Sequence, residues 1–470
     1  MLAAGVLVGC GWGRAHPGPG SGTAADGTRC GRVRLGGRPA MKGVMSARLR
    51  IGFAGMVATV WLLAGPAPQF IHGADIDTVI VSSARELQES LARPRHGLTI
   101  RLAAGEYHLI PTAGFDSTCG NCEDPERLVP MTYGVRVTGE NVWIVGPEGG
   151  EAVIHTHAGY GIYFEHCRQC GITGVKITGG ARDSAQAATD AAVVAKHSTV
   201  SVIGNTIADN IGDSVVVLRT VVGIMGVCGR ERSSLKIRGN RIVHNSWDGI
   251  ALYRDAEADI YSNLIDGVDR ARGAEVGGGR GVGIGVTWNA RAVIRGNLVR
   301  RYWKGIGIFV DAGAYVKFNI VEEMLTWGIA YWDAGKGKPW AAIHGNVVYD
   351  CGACGVSITR EAPFGSHVGP GQFVWNVVVK TGQNPKYDDP DYYCYQCALA
   401  VHAAPENFEI SDNLFFGNRR ATQDLPDYDV SGAEFERRLP RYLRDIVREV
   451  PEWCREESAF LRAYAPVGQP

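Results

Sequence analysis

Short stretches in which apolar and polar residues alternate recur through the middle of the chain, and each begins with glycine. Five of these stretches are close copies of one another: GIALYRDA (249–256), GIGVTWNA (283–290), GIGIFVDA (305–312), GIAYWDA (328–334) and GVSITREA (355–362). Alternation with a period of two predicts β-strands. The acid or amide before the final alanine of each copy is typical of a turn that ends a strand. The pattern therefore predicts repeated strand and turn units rather than helices.

A second repeated phrase, in which Gly-Asn lies between two apolar residues, falls between the copies of the first. Its asparagines are Asn205, Asn240, Asn297 and Asn346, with looser forms at Asn263, Asn319, Asn376 and Asn413. The shortest spacing between like phrases is 22 or 23 residues, which holds three short strands and three turns. Stacked units of this length predict an all-β fold, a single right-handed parallel β-helix of about 9–11 rungs. Each asparagine is expected to hydrogen-bond its neighbours in the rungs above and below.

Two segments at the ends of the repeat carry helix signals. Ser83 and Ser431 each precede a glutamate at the spacing of a capping box, and an amphipathic stretch follows. We expect the first helix to cover the N-terminal end of a β-helix at residues 75–425. We expect residues 426–470 to form a C-terminal helical cap with a break near Pro440. Exposed strand edges invite aggregation, which favours such covers.

In the shape and spacing of these repeats the chain resembles the pectate-lyase-like superfamily of right-handed β-helix repeat proteins, over roughly residues 95–420. The segment LTIRLAAGEYHL (98–109) also resembles the first strand of that superfamily. The resemblance implies the chemistry of lyases, hydrolases or epimerases. Active-site signatures of those families, such as the Asp-Pro-His-Glu of mannuronan epimerases, are not found in this sequence. No catalytic residue is therefore transferred from the family.

The N-terminal region differs in composition from the repeats. Residues 1–44 are rich in Gly, Arg and Pro, and we interpret them as an over-called or disordered start. A basic stretch, a 14-residue apolar stretch and small residues follow within residues 45–74, which predicts a signal peptide. The alternative is a lipoprotein signal ending at Cys10. The signal peptide predicts a secreted or periplasmic protein with no membrane span after processing, and export permits disulfides.

The repeated acid or amide of the Gly-apolar phrases defines a predicted column on the outside of the β-helix. When the five copies are aligned on their glycine, side-chain alternation places Asp255, Asn289, Asp311, Asp333 and Glu361 in one outward column. Because rungs are about 4.8 Å apart, like charges at this spacing repel, which raises pKa values or requires a cation. The alternative is that these residues are ordinary turn formers.

A second outward column consists of aromatic side chains, Tyr253, Phe309 and Trp332. Aromatic rings beside acids resemble a saccharide groove, in which rings stack on sugar faces while acids do chemistry or bind Ca²⁺. The residues predicted to be catalytic are Asp255, Asp311, Asp333, Arg254 and Tyr253. Of these, Tyr253 is assigned as a proton acceptor, Arg254 as a carboxylate-neutralising group and the three aspartates as the ligands of any Ca²⁺. The residues predicted to bind substrate are Trp332, Phe309, Trp288, Asn289, Lys304, Arg360 and Glu361.

The 12 cysteines include four Cys-x-x-Cys pairs. The two later pairs, Cys351 with Cys354 and Cys394 with Cys397, lie before the first strands of successive rungs, so these pairs should stack. Two such turns one rung apart can form two disulfides between rungs or a metal site with four thiolates. Export favours the disulfides.

Composition narrows the classes of function. The chain has 48 basic and 48 acidic side chains, and this zero net charge argues against a nucleic-acid-binding protein. We interpret the sequence as an exported carbohydrate-active protein that acts on an acidic polysaccharide by lyase-like or hydrolase-like chemistry. The reaction is expected in a groove on the outer face of the first-strand sheet. The alternatives are a non-catalytic glycan-binding or envelope-structural β-helix, and metal handling through the cysteine pairs.

Overall fold

The computed structural model describes residues 77–183, 189–212, 222–267, 281–360, 368–388, 397–402 and 407–465. The predicted start at 1–44 and the predicted signal peptide at 45–74 lie outside these ranges, as do Glu361 and Cys394. No helix in the described ranges is long and apolar enough to cross a membrane.

The described strands form three parallel stacks, and each stack is one face of a β-helix. Strand Val129–Val145 runs from the first face into the second, which joins these two faces into one 22-stranded sheet. The third face is a separate 11-stranded sheet. Because each strand pairs in parallel with its equivalent in the next rung, the predicted all-β parallel β-helix is confirmed.

The strands of the first face, from the N-terminal half of the shared strand onward, are Val129–Val145, Tyr160–Arg168, Ala191–Lys196, Met225–Arg230, Ile250–Leu252, Val282–Val286, Lys304–Val310, Trp327–Asp333, Cys354–Arg360 and Cys397–Val401. Those of the second face are Asp77–Val81, Arg95–Leu102, the end of the shared strand, Cys170–Thr173, Thr199–Ile203, Ser234–Arg238, Glu257–Tyr261, Arg291–Arg295, Gly313–Lys317, Trp340–His344, Gly371–Val374 and Glu409–Ser411. Those of the third face are Gly105–His108, Ala152–His155, Lys176–Thr178, Thr206–Ala208, Arg241–Val243, Leu264–Asp266, Leu298–Arg300, Ile320–Glu322, Val347–Tyr349, Val377–Val379 and Leu414–Phe416. A further strand, Thr112–Asp116, pairs antiparallel with the start of the shared strand.

The Gly-apolar phrases form consecutive strands of the first face in register. Ile250, Ile284, Ile306, Ile329 and Val356 are Cα partners from one rung to the next, and all five are buried. Each fully buried isoleucine contributes about 1.5–3 kcal/mol. Aliphatic columns of this kind fill the inside of the β-helix, and they fix which side chains of each strand point outward.

The Gly-Asn phrases form the turn between the second and third faces. From Asn205 to Asn413 each side-chain amide donates to the next asparagine's Oδ1, at 2.9–3.1 Å. The same Oδ1 also accepts from the backbone N–H of the preceding asparagine, as Asn297 does from Asn263 at 3.0 Å. The predicted ladder is therefore confirmed for all eight asparagines, including the looser forms.

Replacing a central member of this ladder is expected to destabilise the fold by about 2 kcal/mol. Asn297→Ala leaves the buried Asn263 amide without its acceptor and Ile260 O without the amide that donates to it at 3.0 Å. Chemical unfolding measures the loss, and Asn413→Ala is the matched control at the less buried end of the ladder. An Asn297→Ala protein as stable as the control would contradict the expectation.

The N-terminal helix covers the end of the core, as expected. It spans Ala84–Ser90, and the Ser83 hydroxyl accepts from the Glu86 amide at 3.3 Å. Leu87 is fully buried in the core, and the Gln88 side chain donates to Ile110 O at 2.8 Å. The short apolar face of this helix therefore covers the N-terminal end of the core.

The C-terminal helices are present, but they lie along the side of the β-helix. They span Gly432–Glu449, Glu452–Arg455 and Ala459–Tyr464, and a 3₁₀ helix spans Pro385–Tyr387 earlier in the chain. Their apolar side chains pack on outward residues of the third face, which form a column of Leu264, Leu298, Ile320, Val347, Val377 and Leu414. At the end of the core, Tyr428 stacks on Phe415 at 5.1 Å between ring centroids.

The expected break near Pro440 is wrong, because Gly432–Glu449 is continuous through that residue. Proline removes one helical hydrogen bond, but Leu439 and Leu443 on either side of it are buried against the third face. Packing of the apolar stripe therefore outweighs the local preference of proline, which is the usual source of helix stability in proteins.

Candidate active site on the first face

A loop at residues 117–128, which we call the covering loop, lies over part of the first face. The Cys119–Cys122 disulfide closes its tip. Arg254 donates from Nε to Gly120 O at 3.1 Å, and Trp288 donates from Nε1 to Asn121 Oδ1 at 3.3 Å.

The Arg254 guanidinium also lies 4.2 Å from the centroid of the Trp288 ring. The sequence assigned Arg254 and Trp288 to a substrate, but the structure places both against the covering loop. The reason is that the loop interrupts the repeat between the first rungs and has no counterpart in the phrases from which the groove was predicted.

Beneath this loop Asp116, Lys196, Arg230 and Glu231 form an ionic cluster on the outside of the first face, with Arg230 Nε 2.6 Å from Glu231 Oε2. The Asp116 carboxylate accepts from Lys196 Nζ, from Arg230 Nη2 and from the Tyr160 hydroxyl, the last at 2.9 Å. Arg230 is fully buried, and Lys196 is its Cα partner one rung before. Burial alone would raise the pKa of Asp116, but the charges of Arg230 and Lys196 outweigh it and hold that pKa below its usual value. This cluster fixes the covering loop and is closed to a ligand.

Farther along the first face, three outward columns form a trough. The middle column consists of small residues, which are Ala251, Gly285, Gly307, Ala330 and Ser357. One side of the trough is formed by Asp248, Val282, Lys304 and Trp327, and the other by Tyr253, Thr287, Phe309 and Trp332.

The middle column of the trough is less crowded at Gly285, which is itself buried, than at Gly307. Of the described residues outside its immediate chain neighbours, only Val282 has an atom within 4 Å of a Cβ built there, at 3.8 Å. At Gly307 the Phe309 ring closes the same column, because a Cβ there would lie 2.1 Å from the ring. A glycine in a strand often marks the close approach of another group to the backbone. The space above Gly285, between Asp248 and Thr287, is thus the candidate binding position.

Asp248 is the acid of this trough, and it is not among the residues predicted from the sequence. Its Oδ1 accepts from the Val282 amide at 2.6 Å, and its Oδ2 lies 3.4 Å from the Tyr253 hydroxyl. Burial raises the pKa of the Asp248 carboxyl to about 7, although the Val282 amide and the charge of Lys304 favour the ionised form. A carboxyl that titrates near neutral pH can accept and return a proton.

Tyr253 differs from its predicted role. Its side chain is buried, and burial together with the Asp248 carboxylate raises its pKa well above the usual value. The phenol therefore stays protonated at neutral pH and is a hydroxyl donor, whereas the sequence predicted a proton acceptor. Burial is the larger cause of the raised pKa, and the adjacent Asp248, which only the fold brings beside Tyr253, adds to it.

Lys304 lies among aromatic rings on the same side of the trough as Asp248. Its Nζ is 4.4, 5.1 and 5.3 Å from the ring centroids of Trp303, Trp327 and Trp332. Trp332 also packs 5.4 Å from Phe309, its neighbour on the opposite side of the trough from Lys304. A cation held over rings is attracted by their π-faces. The predicted groups Lys304, Phe309 and Trp332 are thus brought together at the trough.

The predicted acid column forms in part, and its members fix turns. Asp255 Oδ1 accepts from the Asn289 side-chain amide, and Asp311 Oδ1 accepts from the Asn289 backbone amide at 2.6 Å. Asp255 and Asn289 both have left-handed backbones, with φ of 61° and 59°. Asn289, which is uncharged, lies between the two carboxylates and donates a hydrogen bond to each. This geometry fits the turn-forming alternative.

Asp333 does not belong to this column. Because GIAYWDA is one residue shorter than the other copies, Asp333 is the Cα partner of Val310 rather than of Asp311. It is buried, lies 3.2 Å from Arg360 Nη1 and accepts from the Gly335 amide at 2.6 Å. Arg360 is thus engaged by Asp333. Within the described ranges, Asp255, Asp311 and Asp333 do not form a converging metal-ligand group, and calcium at these residues stays a prediction.

Each of the two earlier Cys-x-x-Cys pairs forms a disulfide. Disulfides join Cys119 to Cys122 and Cys167 to Cys170. Of the later pairs, Cys354 and Cys397 are Cα partners on adjacent strands with sulfurs 3.8 Å apart, so the predicted stacking is confirmed. Their disulfide or metal bonding stays a prediction, since Cys394 lies outside the described residues.

The stacked faces define the class of the protein as a parallel β-helix with a trough on one face. The family model for the right handed beta helix region matches residues 131–279 and 194–415, and the chain belongs to this family. No curated protein sequence matches the chain.

Several solved structures are similar to this chain. An alginate lyase from Paenibacillus sp. str. FPU-7 is 16% identical, with 73% of this chain and 96% of that chain covered and a TM-score of 0.40. The A-module of the mannuronan C-5 epimerase AlgE4 from Azotobacter vinelandii is 12% identical, with 75% and 100% covered and a TM-score of 0.40. The surface adhesin PfbA of Streptococcus pneumoniae is 10% identical, with 69% of each chain covered and a TM-score of 0.40. At these scores none of them carries an argument about the activity of this protein.

Proposed function

We propose that the trough binds an acidic polysaccharide and cleaves it by elimination, with Asp248 as the base. The observation that carries the proposal is the Asp248 carboxyl, whose pKa is about 7, beside the Tyr253 hydroxyl and on the same wall as Lys304. A base of this pKa is half ionised at neutral pH and is suited to proton transfer.

Elimination fits this set of groups better than hydrolysis. Glycoside hydrolysis uses two carboxylates on either side of the bond, and Asp248 is the only carboxylate in the three trough columns as far as the structure describes them. An elimination needs one base, one cation to neutralise the uronate carboxylate, and one donor for the leaving oxygen. Asp248, Lys304 and Tyr253 supply these three functions.

Each step of the elimination is then assigned to one residue of the trough. Lys304 binds the uronate carboxylate, and the resulting charge neutralisation makes the neighbouring C–H proton more acidic. Asp248 removes this proton, the bond to the leaving glycosidic oxygen breaks, and a carbon–carbon double bond forms. The Tyr253 hydroxyl protonates the leaving oxygen and regains its proton from Asp248.

The test is incubation of the exported protein with polygalacturonate, alginate and a neutral glucan, with and without EDTA. We expect ultraviolet absorbance from unsaturated uronate on an acidic polymer. New reducing ends without this absorbance would contradict elimination. Binding without either product would favour the second candidate, a non-catalytic glycan-binding protein, which the turn geometry of Asp255 and Asp311 supports.

Export itself rests on the predicted signal peptide, and N-terminal sequencing that returned residues before 45 would overturn it.

Replacing Lys304 by Met is expected to raise KM for the acidic polymer about tenfold or more, because one charged contact contributes roughly 1.5–3 kcal/mol. Lys317→Met is the matched control, since Lys317 also lies near a ring, 5.1 Å from the centroid of Tyr315, but on the second face. Steady-state kinetics on both variants measure the effect. Equal KM values for the two variants would remove Lys304 from the site.

A further inference from the structure

We propose that Glu106, His108, His155 and His157 form a site for a divalent late first-row transition-metal ion on the third face. This cluster lies on the first two rungs of that face, apart from the trough. The sequence signal consists of two short phrases, Glu-Tyr-His at 106–108 and His-Thr-His at 155–157.

The β-helix brings these phrases together. His108 and His155 are Cα partners on adjacent strands, Gly105–His108 and Ala152–His155. Residues two apart on a strand point to the same side, so Glu106 lies on the outward surface with His108. His157 follows the second strand, and its backbone amide donates to Gly179 O at 3.0 Å.

Ligand atoms of the cluster already converge. Those of Glu106, His108 and His155 all lie within 4.8 Å of one another. His108 Nδ1 and His157 Nε2 are 3.4 Å apart, and His155 Nε2 contacts a carboxylate oxygen of Glu106. In a tetrahedral site with metal–nitrogen bonds of about 2.0–2.1 Å, ligand atoms are about 3.3 Å apart. The His108–His157 separation therefore already matches one edge of such a site.

A second pair of stacked histidines shows that stacking by itself does not make a metal site. His166 and His197 stack with ring centroids 5.0 Å apart and planes 7° apart, similar to His108 and His155 at 4.2 Å and 10°. Within the described ranges, however, only Glu106, His108 and His155 form a group able to hold a metal. Stacking of histidines from adjacent rungs is common to both places, whereas in the described ranges only the first has a carboxylate close to the imidazole nitrogens.

The ligand types select the class of metal. Imidazole nitrogens with one carboxylate suit Zn²⁺ and its late first-row neighbours, whereas Ca²⁺ and Mg²⁺ prefer oxygen ligands. Glu106, His108 and His155 supply three positions, and His157, whose Nε2 lies 3.4 Å from His108 Nδ1, is the nearest candidate for the fourth position of a tetrahedral zinc site. A bound ion would crosslink the first two rungs of the third face, close to the N-terminal end of the core.

The test is titration of the exported chain with Zn²⁺ by calorimetry and with Co²⁺ by visible absorption. We expect one equivalent to bind with Kd in the micromolar range or tighter and to raise the melting temperature. The variant His108→Ala/His155→Ala should lose affinity at least tenfold, whereas His166→Ala/His197→Ala should stay within twofold of the parent. Glu106→Gln, which keeps the shape of the side chain, should weaken binding without changing the circular dichroism of the apo-protein.

The cobalt spectrum separates this site from the cysteines. Nitrogen and oxygen ligands give weak visible bands, whereas thiolates add intense charge-transfer bands in the near ultraviolet. Absence of binding, equal losses in the two histidine double variants, or a thiolate spectrum with unchanged affinity in Glu106→Gln would each overturn the proposal. Ca²⁺ in place of Zn²⁺ should leave the melting temperature unchanged.

Discussion

Asp248→Asn is expected to lower turnover on the acidic polymer by about a hundredfold or more, because a general base is lost. The amide keeps the size of the side chain, and its oxygen can still accept from the Val282 amide, which Asp248 does at 2.6 Å. The matched control is Asp255→Asn, which changes an exposed turn acid near the same trough and should retain most of the activity. Turnover that falls equally in both variants, or in neither, would contradict the assignment of the base.

The same variant is expected to be more stable than the parent above pH 7. The folded-state pKa of Asp248 is about 7, and the unfolded value is about 3.9. A raised acid pKa gives stability that is complete below the unfolded pKa and is lost as the pH rises through the folded one. The loss amounts to at most ~4 kcal/mol, and Asn at this position avoids it.

Unfolding of parent and Asp248→Asn at pH 4 and pH 8 measures this difference. The two proteins should have similar stabilities at pH 4, and the variant should be the more stable one at pH 8. A variant that is inactive yet stabler at pH 8 has lost a group kept for function. If the variant were instead less stable at pH 8, the carboxylate would be structural and the proposed mechanism would lose its base.

The sequence predicted the repeating architecture well, because strand alternation and the Gly-Asn turn are local signals that recur. The asparagine ladder from Asn205 to Asn413 follows from these signals alone. The same alternation placed Phe309 and Trp332 as Cα partners on the outer face, which the register confirms. Features that depend only on one rung and its neighbours could thus be predicted from the sequence.

The site features that the sequence did not predict depend on contacts between segments that are distant in the chain and carry no common sequence repeat. The covering loop binds Arg254, which lies more than a hundred positions later in the chain, through Gly120 O. A deletion of one residue in GIAYWDA moved Asp333 out of its column. Asp248 was missed because an acid immediately before the first glycine of a phrase resembles a turn residue. Only burial beside Tyr253 distinguishes it.

Asp116→Asn is expected to destabilise the protein by about 3–5 kcal/mol, because it leaves the buried Lys196 without its carboxylate partner and Arg230 with Glu231 alone. The Asp116 carboxylate binds both Lys196 and Arg230, and Arg230 has no solvent-exposed surface. Burying an unpaired charge is far more costly than losing an exposed ion pair. The matched control is Asp388→Asn, which breaks the more exposed pair with Arg419 and should cost less than about 1 kcal/mol.

The dependence on pH provides the second measurement. Burial alone would raise the pKa of Asp116, but Arg230 and Lys196 hold it below its usual value. A lowered acid pKa gives stability that is present above the unfolded pKa and is lost as the pH falls through the folded one. The parent should therefore lose stability on acidification below about pH 4, and Asp116→Asn should lose less over that range. If the two variants matched each other in stability and acid response, the cluster would contribute no more than a surface ion pair. The covering loop would then be fixed by its contacts with Arg254 and Trp288 instead.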